Sequence, residues 1–291
     1  MGPGGLLVGS SGCFSKSDNF KIRAVECAPE DENCSDLGEI NGIKWYDLDT
    51  DGVKDATEVV IVGWRVDSSA PSTAYTDVNG VYHLLGVANT QYTITEVFPN
   101  VTWLPTTPTS GIVTTDNTGT AAGPDFGNVC LGAGGGMTLG FWSNKNGQKL
   151  FEADDLALMV SLNLRNGAGA DFNPASYAQF RNWLLSPNAT SMAYMLSAQL
   201  AAMELNVLNG KVNGSALIYA PGTTSANGAG FATVNAIMAE ANTSLGTYGF
   251  TPAGHAERAH QEALKNALDN ANNNKNFVQA GPEACPFVTP Y

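Results

Sequence analysis

An acidic segment of twelve residues, 47–58, constrains the fold of this chain more than any other feature of its sequence. It carries carboxylates at its first, third, fifth, ninth and twelfth positions and a glycine at its sixth. A hard cation such as Ca²⁺ takes about six to eight oxygen ligands, and a loop of this length supplies them around a turn that needs glycine. Five adjacent carboxylates repel one another without a cation, which argues against chance acidity on a solvated turn. We therefore predict one calcium site, with ligands Asp47, Asp49, Asp51, the Val53 carbonyl, Asp55 and Glu58.

The residues on either side of this loop predict strands and not the helices of a calcium sensor. Residues 39–46 and 59–66 are rich in β-branched and aromatic side chains, which favour strands. The eighth loop position, usually apolar where paired EF-hand loops touch, is Lys54. We therefore expect the loop to join two strands as a structural staple.

The length of the chain indicates how many domains it can form, and its charge indicates which classes of partner it disfavours. The chain has 291 residues, of which 43% are hydrophobic, and this is enough for a core in each of two domains. The net charge of −13 argues against nucleic acids and anionic membranes as partners. No uninterrupted apolar stretch reaches the roughly 18 residues of a membrane-spanning helix, so we expect no membrane span.

Short apolar segments separated by turns predict a β-sandwich in the first half. Turn signals such as Asp77-Val78-Asn79-Gly80 lie between strand-like segments. Seven strands at this spacing are typical of an antiparallel sandwich. The predicted strands are 40–46, 59–66, 72–77, 81–85, 91–98, 111–115 and 125–129.

The chain changes character after a glycine-rich linker at residues 131–136. The sequence becomes rich in alanine, leucine and asparagine with helical periodicity, and Pro174 and Pro252 are expected at first helical positions. Predicted helices are 149–163, 174–185, 190–208, 232–245 and 252–274. We therefore expect an α+β multidomain protein, an antiparallel β-sandwich followed by an all-α helical domain. Its predicted parts are an N-terminal extension 1–37, the sandwich 38–130, the linker 131–136, the helical domain 137–285 and a tail 286–291.

Five cysteines, Cys13, Cys27, Cys34, Cys130 and Cys285, lack the spacing of a metal site. They are better suited to an oxidising compartment. Cys27 and Cys34 are close enough for a local bridge, Cys130 and Cys285 would tie the two domain ends together, and Cys13 would be left over. The sequence leaves this pairing open.

Ordered motifs in the first half carry a resemblance to a known family. They are residues 42–47 running into the acidic loop, then 62–64, 76–82, 92–97 and 125–128. Over about residues 38–129 the chain resembles the SdrD B-like domains, calcium-binding members of the collagen-adhesin B-type sandwiches of bacterial surface adhesins. The resemblance implies a prealbumin-like or Ig-like sandwich that is extracellular and rigidified by calcium, and that acts as a spacer or adhesion module and not as a catalyst.

The same resemblance implies a second piece of chemistry. Related adhesin domains crosslink a lysine of the first strand to an asparagine of the last strand, with a buried carboxylic acid that relays protons. Lys44, Glu96 and Asn128 occupy the first, fifth and last predicted strands, so an isopeptide bond between Lys44 and Asn128 is one hypothesis for this sandwich. In the alternative interpretation Lys44 lies on the surface, Glu96 is a solvated strand residue and Asn128 forms a turn.

The second half resembles uncharacterised helical modules of large secreted bacterial proteins. The residues that carry this resemblance are 138–144, 196–207 and 264–274, and it covers about residues 137–275. No activity is implied by it, so it indicates secretion and not chemistry.

Candidate catalytic residues are sparse. The densest polar cluster, residues 255–262, contains His255 and His260, which are five positions apart and do not form the i, i+4 clamp of a zinc protease. We interpret the cluster as a charged helix surface and expect no enzyme. The expected function is that of an extracellular, cell-surface structural or adhesive protein that binds a protein or surface polymer or forms a homo-oligomer. The alternative is a secreted enzyme or carbohydrate-binding protein whose helical domain is active, with a cleft lined by residues such as Trp142 and Trp183.

Overall fold

The computed structural model describes residues 14–16, 22–24, 37–70 and 72–288. These residues form a mixed α/β structure with one hydrophobic cluster in the β-rich first half and another among the helices of the second half. Two short strands, β1 (Phe14–Lys16) and β2 (Ile22–Ala24), pair antiparallel near the start of the chain. The cysteines at positions 13, 27 and 34 lie outside the described residues, so a bridge between Cys27 and Cys34 stays a prediction.

The first sheet of the sandwich is built around β3 (Gly38–Tyr46), which pairs antiparallel with β6 (Val81–Gly86). The same strand pairs in parallel with β10 (Ala121–Ala122) and β11 (Phe126–Gly132). β8 (Trp103–Pro105) then pairs antiparallel with β11. The prediction of a purely antiparallel sandwich is wrong for this sheet, because the chain returns its last strand beside its first strand in the same direction.

The second sheet is antiparallel throughout, in the order β5 (Thr73–Tyr75), β4 (Arg65–Ser68), β7 (Gln91–Val97) and β9 (Ser110–Thr114). Alternate side chains of β7 are buried, as expected of a strand with one face on a core. The predicted strand 59–66 is largely irregular, since regular pairing begins only at Arg65.

The second half contains helices that pack around a long central one. The helices are α1 (Leu139–Trp142), α2 (Lys145–Leu150), α3 (Ala153–Ser161), α4 (Tyr177–Leu184), α5 (Met192–Leu208), α6 (Val234–Thr247) and α7 (Arg258–Asn272). α5 buries residues on nearly all of its sides, which explains its run of alanine, leucine and methionine. Within the described chain no helix has both the length and the apolar character needed to cross a bilayer.

Two helices start later than their prolines predict. α4 begins at Tyr177, where the hydroxyl of Ser176 accepts a hydrogen bond from the N–H of Gln179. α7 begins at Arg258, six positions after Pro252. The expectation that Pro174 and Pro252 occupy first helical positions is therefore wrong, and in α4 a serine cap sets the start instead.

The second half is not all-α as predicted. It includes β12 (Leu217–Tyr219), β13 (Phe231–Thr233) and β14 (Phe277–Val278), followed by a 3₁₀ turn at Pro282–Ala284. β14 pairs antiparallel with both β12 and the end of β11. Strands of the second half thus extend the first sheet of the sandwich.

The glycine-rich segment 131–136 is closely packed between the two halves. The side chain of Asn274 accepts hydrogen bonds from the N–H groups of Gly134 and Gly136, at 3.1 and 2.8 Å. A Cβ atom on Gly136 would lie 2.1 Å from the carbonyl oxygen of Ala271. These glycines therefore permit close backbone approach and do not serve as a flexible spacer.

The expected pairing of Cys130 with Cys285 is confirmed, since the two form a disulfide with a Cα–Cα distance of 6.3 Å. The bridge joins β11 of the sandwich to a segment 155 positions further along the chain. It therefore closes a long loop that contains the helices.

Candidate functional site

The parallel pairing of β3 with β11 places three predicted residues together inside the sandwich. Lys44 lies opposite Phe126 and Tyr46 lies opposite Asn128 in the register of these strands. β7 of the facing sheet contributes Glu96. The first, fifth and last predicted strands thus meet at one point of the core.

Lys44, Glu96 and Asn128 form a buried contact network. Lys44 Nζ donates hydrogen bonds to Asn128 Oδ1 and, at 3.1 Å, to the carbonyl oxygen of Phe126. The same nitrogen lies 3.1 Å from Glu96 Oε2. Lys44 and Asn128 are 0% exposed and Glu96 is 3% exposed. The alternative interpretation, in which these residues are solvated, is therefore wrong.

Burial shifts the pKa values of the lysine and the carboxylic acid toward each other. It lowers the pKa of Lys44 to about 7, although the carboxylates of Glu96 and Asp47 favour the charged amine. It also raises the pKa of Glu96, against the opposing effect of the Lys44 charge. The Lys44 nitrogen lies 4.5 Å from the ring centroid of Trp64. The pocket therefore favours a neutral amine beside a protonated acid far more than water would.

Polar atoms in this network lack hydrogen-bond partners among the described residues. They are Asn128 Nδ2 and the carboxylate oxygens of Glu96, which make no well-aligned hydrogen bond although Oε2 is ion-paired with Lys44. Buried polar atoms of this kind are rare in native proteins and call for an explanation. A reaction that removes Asn128 Nδ2 as ammonia would eliminate one of them.

The acidic loop brings three of its predicted ligands together. Oxygen atoms of Asp47, Asp49 and Glu58 lie within 4.8 Å of one another. Burial raises the pKa of Asp47 and of Glu58, because negative charge is unfavourable there unless a cation neutralises it. An all-oxygen set with this charge fits a hard cation such as Ca²⁺.

The other predicted ligands do not join this three-carboxylate cluster. Asp51 and Asp55 are exposed, and Asp51 Oδ1 accepts a hydrogen bond from the N–H of Val53 at 2.7 Å. The N–H of Asp55 donates to Glu58 Oε2 at 3.0 Å. The sharp turn expected at Gly52 is present, with a φ of 81°. Ligand roles for Asp51, Asp55 and the Val53 carbonyl stay predictions.

The polar cluster of the second half is more than an exposed helix face. His260 Nδ1 pairs with Glu257, and its Nε2 lies 2.6 Å from Glu240 Oε1. Glu240 belongs to α6 and His260 to α7, so the imidazole links two helices. His255 precedes α7 and is not on the same helix as His260.

The tryptophans named for the alternative function lie in the core. Trp142 is 0% exposed and Trp183 is 6% exposed. The indole N–H of Trp142 donates to Asn206 Oδ1 at 3.0 Å, and that of Trp183 to the Arg165 carbonyl at 3.0 Å. These side chains pack the helices together.

Sequence reasoning missed residues that complete the two candidate sites. Trp64 covers Lys44, and Asn227 contacts the acidic loop through Thr50. Trp64 was part of a motif but had no assigned role, and no spacing signal connects Asn227 with a loop 177 positions earlier. Only the three-dimensional arrangement shows these contacts.

Comparisons with known proteins find only solved structures to which the chain is similar, and the similarity is weak. No protein-family model and no curated protein matches the chain. Among solved structures it is similar to the crystal structure of GBS52, the minor pilin in the gram-positive pathogen Streptococcus agalactiae, with a TM-score of 0.25 and 16% identity. That match covers 32% of this chain and 45% of the pilin chain. The chain thus spans less than half the length of the structure that it matches, and the similarity defines no family.

Proposed function

We propose that this chain is an extracellular structural or adhesive protein of a bacterial surface. In this proposal a β-sandwich stiffened by an internal amide crosslink and by calcium presents the helical half to a protein or polymer partner, or to further copies of the chain. The observation that carries the proposal is the buried network of Lys44, Glu96 and Asn128. The three are almost fully buried and within hydrogen-bonding or ion-pair reach.

The crosslink forms by an acyl transfer that needs no outside reagent. A proton passes from the Lys44 ammonium to Glu96, and the neutral Nζ attacks Cγ of Asn128. Glu96 then relays a proton to Nδ2, the Cγ–Nδ2 bond breaks and ammonia leaves. The product is an amide between Nζ and Cγ, so one amide replaces another and no oxidant is required.

A single covalent bond of this kind supports a structural function. The reaction consumes Lys44 and Asn128, so it occurs once in each molecule and gives no turnover. The two residues are 84 positions apart and belong to the first and last strands of the sandwich. A covalent bond at this place holds the sandwich closed when force or a protease acts on its ends.

The acidic loop would add a second source of rigidity. Bound Ca²⁺ would supply the positive charge that Asp47, Asp49 and Glu58 lack. These residues tie the end of β3 to the loop, since the N–H of Leu48 donates to Glu58 Oε1 at 2.7 Å and that of Gly52 to Asp47 Oδ2 at 2.8 Å. The loop is therefore already folded around its carboxylates, which favours cation binding with little reordering.

Intact-mass measurement tests the crosslink. The purified protein should be lighter than its sequence by one ammonia, after allowance for disulfides, and peptide mapping should join Lys44 to Asn128. Lys44→Arg and Asn128→Ala should have their full sequence masses. Lys54→Arg is the matched control, because the Lys54 amine lies outside this network and donates to the Glu58 carbonyl oxygen at 3.0 Å, and this variant should still lose ammonia. An unmodified wild-type mass would exclude the crosslink.

Association and binding measurements test the surface function. Size-exclusion chromatography with light scattering, with calcium and with a chelator, should show assemblies of more than one chain, or the protein should be retained on bacterial cell-wall polymers or on a cell surface. A strict monomer that binds none of these surfaces and hydrolyses a glycan or peptide would contradict the proposal.

A further inference from the structure

A segment that follows the last helix returns to the sandwich and covers its aromatic core. This return segment comprises residues 277–288. Its strand β14 pairs with β11, the N–H of Gln279 donates to the Cys130 carbonyl at 3.0 Å, and Tyr46 donates its hydroxyl hydrogen to the Gln279 carbonyl at 2.7 Å. The disulfide at Cys285 then fixes the segment to β11.

Phe287 of the return segment packs on two tryptophans of the sandwich. Its ring centroid lies 5.5 Å from that of Trp64 and 5.7 Å from that of Trp103, both in edge-to-face geometry. The two tryptophan rings are 5.1 Å apart. Edge-to-face pairs at these separations are favourable beyond the area that they bury. Phe287 is therefore a well-packed part of this cluster.

The same cluster reaches the candidate crosslinking site. Trp64 is 0% exposed and lies against Lys44, whose nitrogen is 4.5 Å from its ring centroid. A surface cavity lined by Trp64, Phe98, Phe287 and Val288 adjoins this stack on the solvent side. Phe287, Trp64 and Lys44 thus form a continuous series of contacts from the surface to the amine.

We infer that the return segment is a lid over the crosslinking pocket and that Phe287 is a positioning residue for the bond between Lys44 and Asn128. This inference rests on the proposed crosslink. The lid belongs to a segment whose Cys285 lies 155 positions beyond Cys130 in the chain. Docking of this segment should therefore speed formation of the bond.

The physical reason is the exclusion of water from Lys44. The carboxylate in contact with this amine is Glu96, whose Oε2 lies 3.1 Å from the nitrogen and stabilises its protonated form, and the more distant charge of Asp47 acts weakly in the same direction. Burial beneath Trp64 and Phe287 opposes this effect, so any loss of burial shifts Lys44 toward the unreactive ammonium. Removal of the Phe287 ring would let water reach Trp64 and pass beside its ring to the Lys44 amine. The substitution changes none of the steps of the acyl transfer, which still releases one ammonia.

Refolding kinetics of the full-length chain test the lid. Chain recovered from inclusion bodies is dissolved in denaturant, checked for full sequence mass and refolded with calcium and a thiol–disulfide buffer. Samples are quenched in acid at intervals, and the loss of ammonia is followed by intact mass. The proteins compared are wild type, Phe287→Ala, Phe287→Leu, Cys285→Ser and the control Val288→Ala, whose parent side chain is 92% exposed.

Phe287→Ala should crosslink more slowly than wild type, by about tenfold for each pH unit by which the pKa of Lys44 rises. The reaction needs one proton on the pair formed by Lys44 and Glu96, so its rate falls at alkaline pH when that proton is lost. In Phe287→Ala this alkaline limb of the rate profile should move to higher pH, because the pair then holds the proton more tightly. A merely structural role would reduce the yield of folded protein without moving that limb. Cys285→Ser should show a smaller effect in the same direction, and Phe287→Leu should retain most of the wild-type rate, as should Val288→Ala.

Each result decides between the two proposals. If the wild-type protein loses no ammonia, the proposed crosslink and the proposed lid are both wrong. If wild type crosslinks and Phe287→Ala does so at the same rate with the same alkaline limb, the lid alone is wrong. If circular dichroism shows that Phe287→Ala does not fold, Cys285→Ser takes its place in the test. A wild-type rate of ammonia loss and a wild-type alkaline limb in Cys285→Ser would then overturn the lid.

Discussion

Asn227 of the helical half donates hydrogen bonds from Nδ2 to the carbonyl and hydroxyl oxygens of Thr50, at 2.8 and 3.0 Å. Thr50 is the fourth residue of the acidic loop and has a φ of 62°, a conformation that is costly for a β-branched residue. Asn227 Oδ1 accepts hydrogen bonds from the N–H groups of Ala229 and Phe231, at 3.0 and 2.9 Å. Phe231 is itself buried in the sandwich core. One side chain thus fastens the candidate calcium loop to the helical half.

Asn227→Ala should lower the free energy of unfolding by about 1–3 kcal/mol, because the Thr50 carbonyl loses its donor and the turn around Phe231 loses its acceptor. It should also weaken calcium binding, since the loop is then free to leave the conformation at Thr50. Urea denaturation and calcium titration calorimetry measure the two effects. Asn117→Ala, at an exposed turn position, is the control. If both variants behave alike, the contact with Thr50 does not stabilise the loop.

Calcium should raise the melting temperature of the protein. A ligand that binds only the folded state adds about 2.7 kcal/mol at a hundredfold excess over its dissociation constant. Glu58→Gln should remove most of this calcium-dependent increase, because Glu58 belongs to the three-carboxylate cluster and the final loop position is expected to give two oxygens.

Glu262→Gln is the control for charge, because Glu262 is exposed on α7 and lies outside the loop. It should respond to calcium as wild type does. Differential scanning calorimetry with calcium and with a chelator decides the matter, and equal melting temperatures of wild type in the two conditions would rule out a stabilising calcium site.

The family resemblance selected Lys44, Glu96 and Asn128 as one candidate site, and the structure brings these three residues together. The sheet that holds them was predicted less well. The parallel pairing of β11 with β3 could not be predicted. Pairing between strands far apart in sequence depends on which edge of the sheet the intervening chain leads to. That pairing is what brings Lys44 and Asn128 together.

The helical half shows where local signals fail. Prolines before α4 and α7 indicated helix starts, but α4 begins at Tyr177, after its Ser176 cap, and α7 begins at Arg258. β12 and β13 are only three residues long, too short for a period of two to be recognised. The contact of Phe287 with Trp64 joins residues far apart in sequence, and no pattern within either segment indicates it.

His260 should make stability depend on pH. Burial disfavours its charged form, but hydrogen bonds with Glu257 and Glu240 outweigh this and raise its pKa above the ordinary value of 6.5. Because the folded pKa is above the unfolded one, the stabilising contribution is complete below about pH 6.5 and is lost as pH rises through the folded pKa. His260→Gln should therefore lower stability at acidic pH and much less at alkaline pH.

Urea denaturation midpoints across a pH series measure this dependence. A constant difference between His260→Gln and wild type at all pH values would show that the imidazolium does not stabilise the contact between α6 and α7.

Gly136→Ala tests whether the glycine-rich segment is a packed junction. An added Cβ would lie 2.1 Å from the carbonyl oxygen of Ala271, so either the end of α7 or the segment must move, at a cost of about 1–3 kcal/mol. Gly140→Ala is the control, because its Cβ would meet only Thr138 Oγ1, at 3.5 Å, and alanine favours the helix there. Thermal unfolding should show a lower midpoint for Gly136→Ala and an equal or higher one for Gly140→Ala. A wild-type midpoint for Gly136→Ala would mean that the segment is a loose linker after all.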